Sequence, residues 1–331
     1  MPTIHFLNVK EGDCSVIQHG SGRVSVIDVC NAKPSYTEVS KSEMALATMA
    51  TRAVQGNFNQ KAYPVNPVAY LEEHGIGSVF RFILTHPDMD HMDGIKAFFD
   101  RFSPENFWDT NNKKEMDNSS WSASPYNRSD WDFYKLLRDT KPSNNPKRLA
   151  NLSGQNGQYW NRGEDGNTGG DGLAILAPTQ KLVNDANEKD DYNDCSYVLL
   201  YRTGDKRIVF GGDSHDDTWE HILSNWEQDV RDIDLLIAPH HGRDSGRSYD
   251  FLDVLKPTLT FFGNARSEYL AYDAWYRRNL DIITNNQANC MVVNSSGGRL
   301  DVYVTNETFA KRYNPGTFYD GRFRAWYICS I

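Results

Sequence analysis

Five ionisable side chains occupy eight positions of one short segment of this chain, His86-Pro-Asp-Met-Asp-His-Met-Asp-Gly94. The segment contributes His86, Asp88, Asp90, His91 and Asp93. They cannot all be core residues, because burying unpaired charge costs too much free energy. Imidazoles and carboxylates this close in sequence can instead converge on one or two metal ions. The alternative is a solvated acidic loop with two incidental histidines.

The elements around this segment predict an α/β chain. Residues 79–85 form an apolar run typical of a buried strand, and residues 95–102 begin a helix. Earlier residues predict short strands at 4–8, 15–17 and 23–28, with helices at 41–54 and 67–74. After residue 172, predicted strands and helices alternate to about residue 293, and a strand-rich tail follows.

Two later motifs also follow predicted strands. Gly211-Gly-Asp213 comes after the strand 207–210, where the glycines allow a sharp turn that leaves the carboxylate pointing outward. An aspartate in this position is as often a helix N-cap. Pro239-His-His-Gly242 comes after the strand 233–238. One of its histidines can bind a metal while the other holds a carboxylate or donates a proton; a solvated pair is the simpler alternative.

Two further candidates precede another apolar strand. Asn193 and Asp194 could coordinate a metal or hydrogen-bond to a group bound to it. A plain turn explains them equally well. We therefore treat both only as additional candidate site residues.

Residues 103–172 interrupt the α/β pattern. They contain eleven Asn, seven Gly and four of the eight Trp, but no His, and one helix is predicted from Trp131. A long loop-rich stretch of this kind is typically a lid or a binding loop. Its tryptophans, Trp131 and Trp160 among them, could stack on a base, a sugar or a choline-like group. They could equally form a small core of their own.

Composition excludes some classes of function. The formal charge of -9 argues against wrapping long nucleic acid by bulk electrostatics. No stretch of 18 apolar residues predicts a membrane span, and the N-terminus lacks the pattern of a signal peptide. The five cysteines show no CxxC spacing, which suits buried thiols in a reducing compartment. We expect a cytoplasmic protein that does not contact a membrane.

The motifs, in this order, resemble the metallo-β-lactamase fold. More narrowly, they resemble the hydrolase domain of the bacterial DNA-uptake (competence) protein ComEC and its stand-alone soluble relatives. Residues 86–91 stand where the superfamily has HxHxDH and the ComEC-like group has HxDxDH; residues 211–213 resemble the bridging-aspartate motif and residues 239–242 the last metal motif. The resemblance implies an αββα sandwich, one domain over 1–331 with an insertion at about 103–172.

The resemblance also implies two divalent metal ions. The first would be held by His86, Asp88 and a shared Asp213, helped by Asp194. The second would use Asp90, His91, Asp213 and His241, or His240 in its place. Asp88 replaces the second histidine of the general motif, and the chain has no histidine between His91 and His215. This oxygen-rich set favours Mn²⁺ as much as Zn²⁺, and it leaves open the alternative that one site is weak or empty.

The implied activity is hydrolysis by metal-activated water, in a phosphodiesterase or nuclease acting on DNA, RNA or a nucleotide. Asp90 would orient the nucleophile, and the histidine of the 240–241 pair that does not bind metal would be the acid. Arg243 and Arg247 would hold a phosphate, and Trp131 and Trp160 the rest of the substrate. The alternatives are hydrolysis of another ester, of phosphocholine or lactone type, and a non-catalytic subunit that docks a protein partner through residues 103–172.

Overall fold

A computed structural model of the chain describes residues 1–33, 56–122, 124–139, 145–161, 170–265 and 269–331. The helix predicted at 41–54 lies outside these residues. Within them the chain forms two β-sheets that pack face to face, with helices on both outer faces.

The larger sheet has ten strands in the described residues, in the order β15-β16-β14-β13-β1-β2-β3-β4-β5-β6. They are β1 (Thr3–Phe6), β2 (Ser15–Gln18), β3 (Val24–Ile27), β4 (Arg81–Ile83), β5 (Asn106–Trp108), β6 (Lys147–Leu149), β13 (Met291–Ser296), β14 (Arg299–Val304), β15 (Tyr319–Asp320) and β16 (Ala325–Ser330). The strands from β3 to β6 are parallel, and the other neighbouring pairs are antiparallel.

Within the described ranges, the smaller sheet has six strands in the order β12-β11-β10-β9-β8-β7. They are β7 (Leu173–Ala177), β8 (Val198–Thr203), β9 (Lys206–Phe210), β10 (Leu235–Ile237), β11 (Leu259–Phe262) and β12 (Ile282–Thr284). The strands from β9 to β12 are parallel, whereas β7, β8 and β9 form an antiparallel meander.

The described helices are α1 (Pro67–Glu73), α2 (Ile95–Phe102), α3 (Arg128–Arg138), α4 (Gln180–Lys189), α5 (Asp216–Val230), α6 (Leu252–Leu255), α7 (Tyr272–Tyr276), α8 (Asn285–Ala288) and α9 (Glu307–Tyr313). The apolar faces of α1, α2 and α3 cover the larger sheet, and α5, α6 and α7 cover the smaller one. Ile4, Ile83, Phe210 and Phe261 belong to the core between the sheets. This arrangement confirms the predicted αββα sandwich.

The loop-rich segment 103–172 is also part of this sandwich. Its strands β5 and β6 extend the parallel part of the larger sheet, and its helix α3 packs on α2. The helix predicted from Trp131 therefore exists, beginning at Arg128. Among the described helices, none is both long and apolar enough to cross a bilayer.

Strand direction brings the predicted motifs to one edge of the sandwich. The loops after β3 and β4 and before β2 lie at this edge of the larger sheet, and the loops after β9 and β10 and before β8 lie at the same edge of the smaller one. Parallel strands deliver the residues at their carboxyl ends to a common edge, which is where sites form in open α/β sheets.

Candidate metal centre

Asp213 lies at the centre of the assembled site. Its carboxylate is buried; Oδ1 lies 3.2 Å from His91 Nε2, and Oδ2 lies 3.8 Å from His86 Nε2 and 3.7 Å from His241 Nε2. Gly212 makes the required turn after β9 with a φ of 51°. The Asp213 backbone N–H donates to Ser196 Oγ at 3.2 Å, which fixes the direction of the side chain.

A carboxylate orients His91. Its Nδ1 lies 2.8 Å from Asp28 Oδ2 and donates its proton there. Asp28 is held in turn by the backbone N–H and the hydroxyl of Thr85, at 2.7 and 2.6 Å. Because Nδ1 is held by Asp28, Nε2 is the atom whose lone pair a cation beside Asp213 would use once the ring has lost its second proton. A histidine backed by a carboxylate in this way is the usual arrangement for a metal ligand.

A carboxylate from a different loop also lies beside His241, as an ion pair rather than a hydrogen bond. Its Nδ1 lies 3.0 Å from Asp13 Oδ1, and its Nε2 lies 3.5 Å from Asp90 Oδ2. Gly12 allows this approach, since a Cβ there would lie 2.0 Å from the Asp90 carbonyl oxygen. Asp13 and Asp28 were not among the predicted site residues. The sequence signal that could have identified them is their position: Asp13 lies just before β2 and Asp28 just after β3, at strand ends that reach the site edge.

His86 is oriented by a hydroxyl group instead. The Thr85 hydroxyl donates its one hydrogen bond to Asp28. It therefore accepts a hydrogen bond from His86 Nδ1 at 3.1 Å. His86 therefore also has a lone pair on Nε2, in a fully buried position. His91 and His86 have hydrogen-bond partners on Nδ1, His241 has an ion-pair contact there, and all three rings direct Nε2 toward the same space.

The converging atoms lack hydrogen-bond partners among the described residues. His86 Nε2, His91 Nε2, His241 Nε2 and Asp213 Oδ1 are buried, and none of them makes a hydrogen bond. Ligand-type atoms lie within 4.8 Å of one another in three overlapping groups: His86, His91 and Asp213; Asp90, His91 and His241; and Asp13, Asp213 and His241. Buried polar atoms without partners are costly. A divalent cation would satisfy them, so the residues present fit a metal ion.

The electrostatics of the site also call for a cation. Burial alone would lower the pKa of His91, but Asp213, Asp28 and Asp90 raise it well above its ordinary value. Burial would also lower the pKa of His241, but the nearby carboxylates, mainly Asp13 and Asp213, raise it to about 10. Burial would raise the pKa of Asp213, but His91, His241 and His86 hold it well below its ordinary range. Without a metal, the carboxylates therefore keep protons on two of the rings.

His240 differs from the other three histidines. Its Nδ1 lies 2.7 Å from Arg247 Nη2, and a guanidinium can only donate, so Nδ1 accepts and the ring proton is on Nε2. That Nε2 lies 3.6 Å from Asp213 Oδ2. Burial lowers the pKa of His240 to about 3, so the ring is neutral at pH 7. The ring thus presents an N–H donor to the site rather than a lone pair.

Two adjacent residues of this loop have a strained backbone. His240 and His241 both have positive φ, at 52° and 57°. For non-glycine residues this region costs on the order of 1–2 kcal/mol each. The strain turns the two rings of neighbouring residues toward the same carboxylate from different sides.

Asp88 lies at the margin of the site. Its Oδ2 lies 3.8 Å from His86 Nε2, but its Oδ1 pairs with Lys114 Nζ at 2.5 Å. It belongs to none of the three ligand groups found among the described residues. The predicted ligands His86, Asp90, His91, Asp213 and His241 are thus brought together, whereas Asp88 faces an ammonium group.

Several other predicted site residues have structural contacts instead. Asp194 Oδ1 accepts from His215 N at 3.0 Å and Thr218 N at 3.2 Å, which caps α5. Asn193 Nδ2 lies 3.4 Å from His215 Nε2. Arg247 is buried, and its guanidinium contacts His240 and the Ser214 carbonyl oxygen, so it is not placed to hold a phosphate directly.

The two tryptophans predicted to bind substrate are packing residues. Trp131 is only 1% exposed and lies in the core beneath α3, 5.4 Å from Tyr134 between ring centroids. Trp160 packs edge-on against the buried Trp108, and its backbone carbonyl accepts from Leu173 at the start of β7, away from the site edge. Trp131 thus belongs to the core between the larger sheet and its helices, and Trp160 is half-buried against the core between the sheets. Neither forms a separate small core of the segment 103–172.

Two neighbouring cavities open beside the ligand atoms. The first, of about 360 Å³, is lined by Glu11, Asp90, Tyr126, His241, Arg243, Asn264, Ala265 and Tyr269. The second, of about 450 Å³, shares four of these residues and adds Lys10, Lys33, Lys61, Asp93 and Pro125. Arg243 thus lies beside the site as predicted, and the segment 103–172 reaches the cavity through Tyr126. Three lysines continue the path away from the ligand atoms.

No protein-family model and no curated protein matches the chain. Among solved structures, it is similar to a new diphosphatase of the PhnP family (10% identity, 86% of this chain and 94% of the other, TM-score 0.40). Igni18, a metallo hydrolase of Ignicoccus hospitalis, matches at 10% identity over 89% of this chain and 100% of the other, with a TM-score of 0.44. Tm1679, a metal-dependent hydrolase of the β-lactamase superfamily, matches at 12% over 86% and 96%, with a TM-score of 0.43.

Two of these neighbours are described as metal-dependent hydrolases, one of them of the β-lactamase superfamily, and none of the three points to ComEC in particular. Similarity at this level gives no information about substrate. The chemistry of the site rests on its own residues.

Proposed function

We propose that this protein is a metal-dependent hydrolase that cleaves a phosphodiester bond in DNA, RNA or a nucleotide. The observation that carries the proposal is the convergence of four buried, unpartnered ligand atoms on one edge of the sandwich, His86 Nε2, His91 Nε2, His241 Nε2 and Asp213 Oδ1. The described residues give these atoms no hydrogen bond that would explain them, and the nearby cavity gives a substrate access.

The ligand set would be His91, His241, Asp90 and Asp213, with His86 beside them. When bound, a divalent ion would make water nucleophilic at neutral pH and neutralise charge on the attacked group. Asp90 is partly exposed at the cavity wall, with a side-chain exposure of 25%. Burial would raise its pKa, but His91 and His241 lower it to about 2, so Asp90 stays ionised and can hold the attacking water.

His240 has a role that differs from the predicted acid. A neutral ring with its proton on Nε2 is a poor proton-transfer acid but a good hydrogen-bond donor. We infer that it holds an oxygen atom of the substrate next to Asp213. Arg247, which fixes the tautomer, is then a positioning residue.

The cavities favour a phosphodiester over the alternative esters. Arg243 lines the cavity next to His241, and Lys10 and Lys61 line the adjoining one, where Lys33 is already paired with Asp93. Cations on the path leading from the ligand atoms suit a substrate with more than one phosphate. Since Trp131 and Trp160 are packing residues, the aromatic cage proposed for a choline-type ester loses the two rings assigned to it.

The first test is turnover of bis(p-nitrophenyl) phosphate, a lactone and glycerophosphocholine by the purified protein with added Mn²⁺ or Zn²⁺. We expect turnover of the phosphodiester only, abolished in Asp213→Asn and retained in Asp205→Asn, a matched change in the exposed β8–β9 turn. Turnover confined to the lactone or the choline ester would contradict the phosphodiesterase proposal. Metal binding without turnover of any ester would favour the non-catalytic subunit.

A second test addresses polymer length. Lys10→Ala and Lys61→Ala should raise KM for a short single-stranded DNA or RNA several-fold and leave KM for bis(p-nitrophenyl) phosphate unchanged. An equal effect on both substrates would show that the lysines do not contact the part of the substrate beyond the cleaved bond.

A further inference from the structure

An ammonium group lies where the family pattern expects part of a second metal site. Lys114, from the segment 103–172, places Nζ 2.5 Å from Asp88 Oδ1 and 5.2 Å from the centroid of the Tyr192 ring. Its backbone is fixed on both sides: the N–H donates to Asn112 Oδ1 at 3.1 Å, and the carbonyl accepts from Arg138 Nη1 at 2.8 Å. The fold itself therefore delivers this positive charge to Asp88.

The number of lone pairs limits how many ions the site can hold. Each imidazole Nε2 has one lone pair and can bind one ion. The three ligand groups overlap in His91, Asp213 and His241, so a first ion that uses these residues leaves few ligands for another. A second ion would need His86, Asp88 and a shared oxygen of Asp213.

The remaining ligands are poorly suited to a second ion. Asp88 already pairs with Lys114, and a divalent ion on its other oxygen would be repelled by the ammonium. His240 cannot replace the missing histidine of the family pattern, because Arg247 keeps the ring proton on Nε2. Of the ligands that the described residues provide around this position, His86 and an oxygen of Asp213 remain.

We propose that Lys114 takes the place of the second metal ion, so that the protein binds a single divalent ion, on the side of His91 and His241. This inference rests on the proposed metal site and departs from the two ions that the sequence resemblance implies. The fixed ammonium compensates the charge of Asp88 and leaves one exchangeable ion beside Asp213 and Asp90.

The test counts metal ions with Mn²⁺ as the probe and no substrate. Titration calorimetry of the metal-free protein should give one Mn²⁺ per chain, and electron paramagnetic resonance should show the six-line spectrum of an isolated ion. In Lys114→Met the loss of the ammonium should tighten a second Mn²⁺ by roughly tenfold or more, and the two ions should give an exchange-coupled spectrum. Lys114→Arg, which keeps the charge, and Lys113→Met, an exposed neighbour, should both behave as the unmodified protein.

Three results would overturn the inference. Two Mn²⁺ ions bound with similar affinity in the unmodified protein would show that Lys114 does not exclude a second ion. A single equivalent in a folded Lys114→Met protein would show that another feature sets the number. Absence of any Mn²⁺ or Zn²⁺ binding would defeat the proposed function as well. One bound ion without ester hydrolysis would instead support the inference and defeat the proposed function.

Discussion

The two sides of the site differ in what stands behind each histidine. On one side, carboxylates contact the Nδ1 atoms of His91 and His241 at 2.8 and 3.0 Å. On the other, the Nδ1 atom of His86 contacts a hydroxyl instead of a carboxylate, and the nearby Asp88 contacts Lys114. A carboxylate makes an imidazole a stronger ligand. The comparison indicates that the chain concentrates its affinity for metal on the His91/His241 side and compensates the His86 side with its own ammonium.

The largest effect on metal binding and turnover is expected at Asp213, which faces the histidines of both sides. Asp213→Asn removes the charge that faces His86, His91 and His241 and leaves the buried shape intact. We predict a loss of metal affinity and a fall in kcat/KM of at least roughly 10³-fold. Metal content and steady-state kinetics measure this. A variant with normal metal content and activity would show that Asp213 is not the common ligand.

Matched Asp→Asn changes on the two sides separate them directly. Asp28→Asn and Asp13→Asn should each lower the affinity for the most tightly bound metal ion by roughly 10–100-fold, since each carboxylate supports a ligand histidine. Asp88→Asn should lower the affinity for that ion by less than about threefold, because Asp88 lies outside the ligand groups. The measurement is competition for Zn²⁺ with a chelator of known affinity. An equal loss of metal affinity in Asp28→Asn and Asp88→Asn would show that the two sides contribute equally to metal binding.

The pH dependence follows from the protons held on the His91/His241 side. Because the pKa of His241 is raised to about 10 and that of His91 lies well above its ordinary value, a metal ion must displace these protons at pH 7. We predict that metal affinity rises between pH 6.5 and 8 and that binding releases up to about two protons. Calorimetry in buffers of different ionisation enthalpy counts the protons. An affinity independent of pH would contradict the assigned charges.

The same shift predicts the stability of the metal-free protein. A raised folded-state pKa at His241 contributes stability that is fully present below about pH 6.5, the pKa of an unfolded histidine, and is lost as pH rises through about 10. Thermal unfolding of the metal-free protein should therefore move to lower temperature between these values, and bound metal should diminish the change. A melting temperature that rises over this range would contradict the sign.

The smallest effect on chemistry is expected far from both sides. Trp131→Ala should cost about 3–5 kcal/mol of unfolding free energy, because it empties a core position. Leu136→Ala, an exposed position on the same helix, should cost less than about 0.5 kcal/mol. Under conditions where both variants are folded, KM should stay within about twofold of the unmodified value. A large rise in KM for folded Trp131→Ala would restore the predicted substrate contact.

Local sequence patterns were sufficient to predict most of the scaffold. Apolar runs at residues 79–85, 207–210 and 233–238 predicted strands, which correspond to β4, β9 and β10, and polar motifs directly after them predicted a metal site. The strands β5 and β6 were missed because their short runs lie within a stretch rich in Asn and Gly. Sheet membership there depends on pairing with β4, a long-range contact that composition does not show.

The site was predictable only where its ligands are adjacent in sequence. His86, Asp90 and His91 share one turn, whereas Asp13 and Asp28 reach their histidines from loops more than 60 residues away from them in sequence. The tautomer of His240 depends on Arg247, and the charge beside Asp88 depends on Lys114, in contacts that no local motif encodes. Burial, not residue type, decided that Trp131 packs in the core.

A crystal structure of the protein soaked in Mn²⁺, with anomalous maps at the Mn edge, tests the central claim most directly. We predict one strong peak within about 2.0–2.3 Å of His91 Nε2, His241 Nε2 and oxygens of Asp90 and Asp213, with Lys114 still paired to Asp88. No peak at this edge of the sandwich would contradict the metal centre. Two equal peaks, one of them bound to Asp88 with Lys114 displaced, would contradict the division between the two sides.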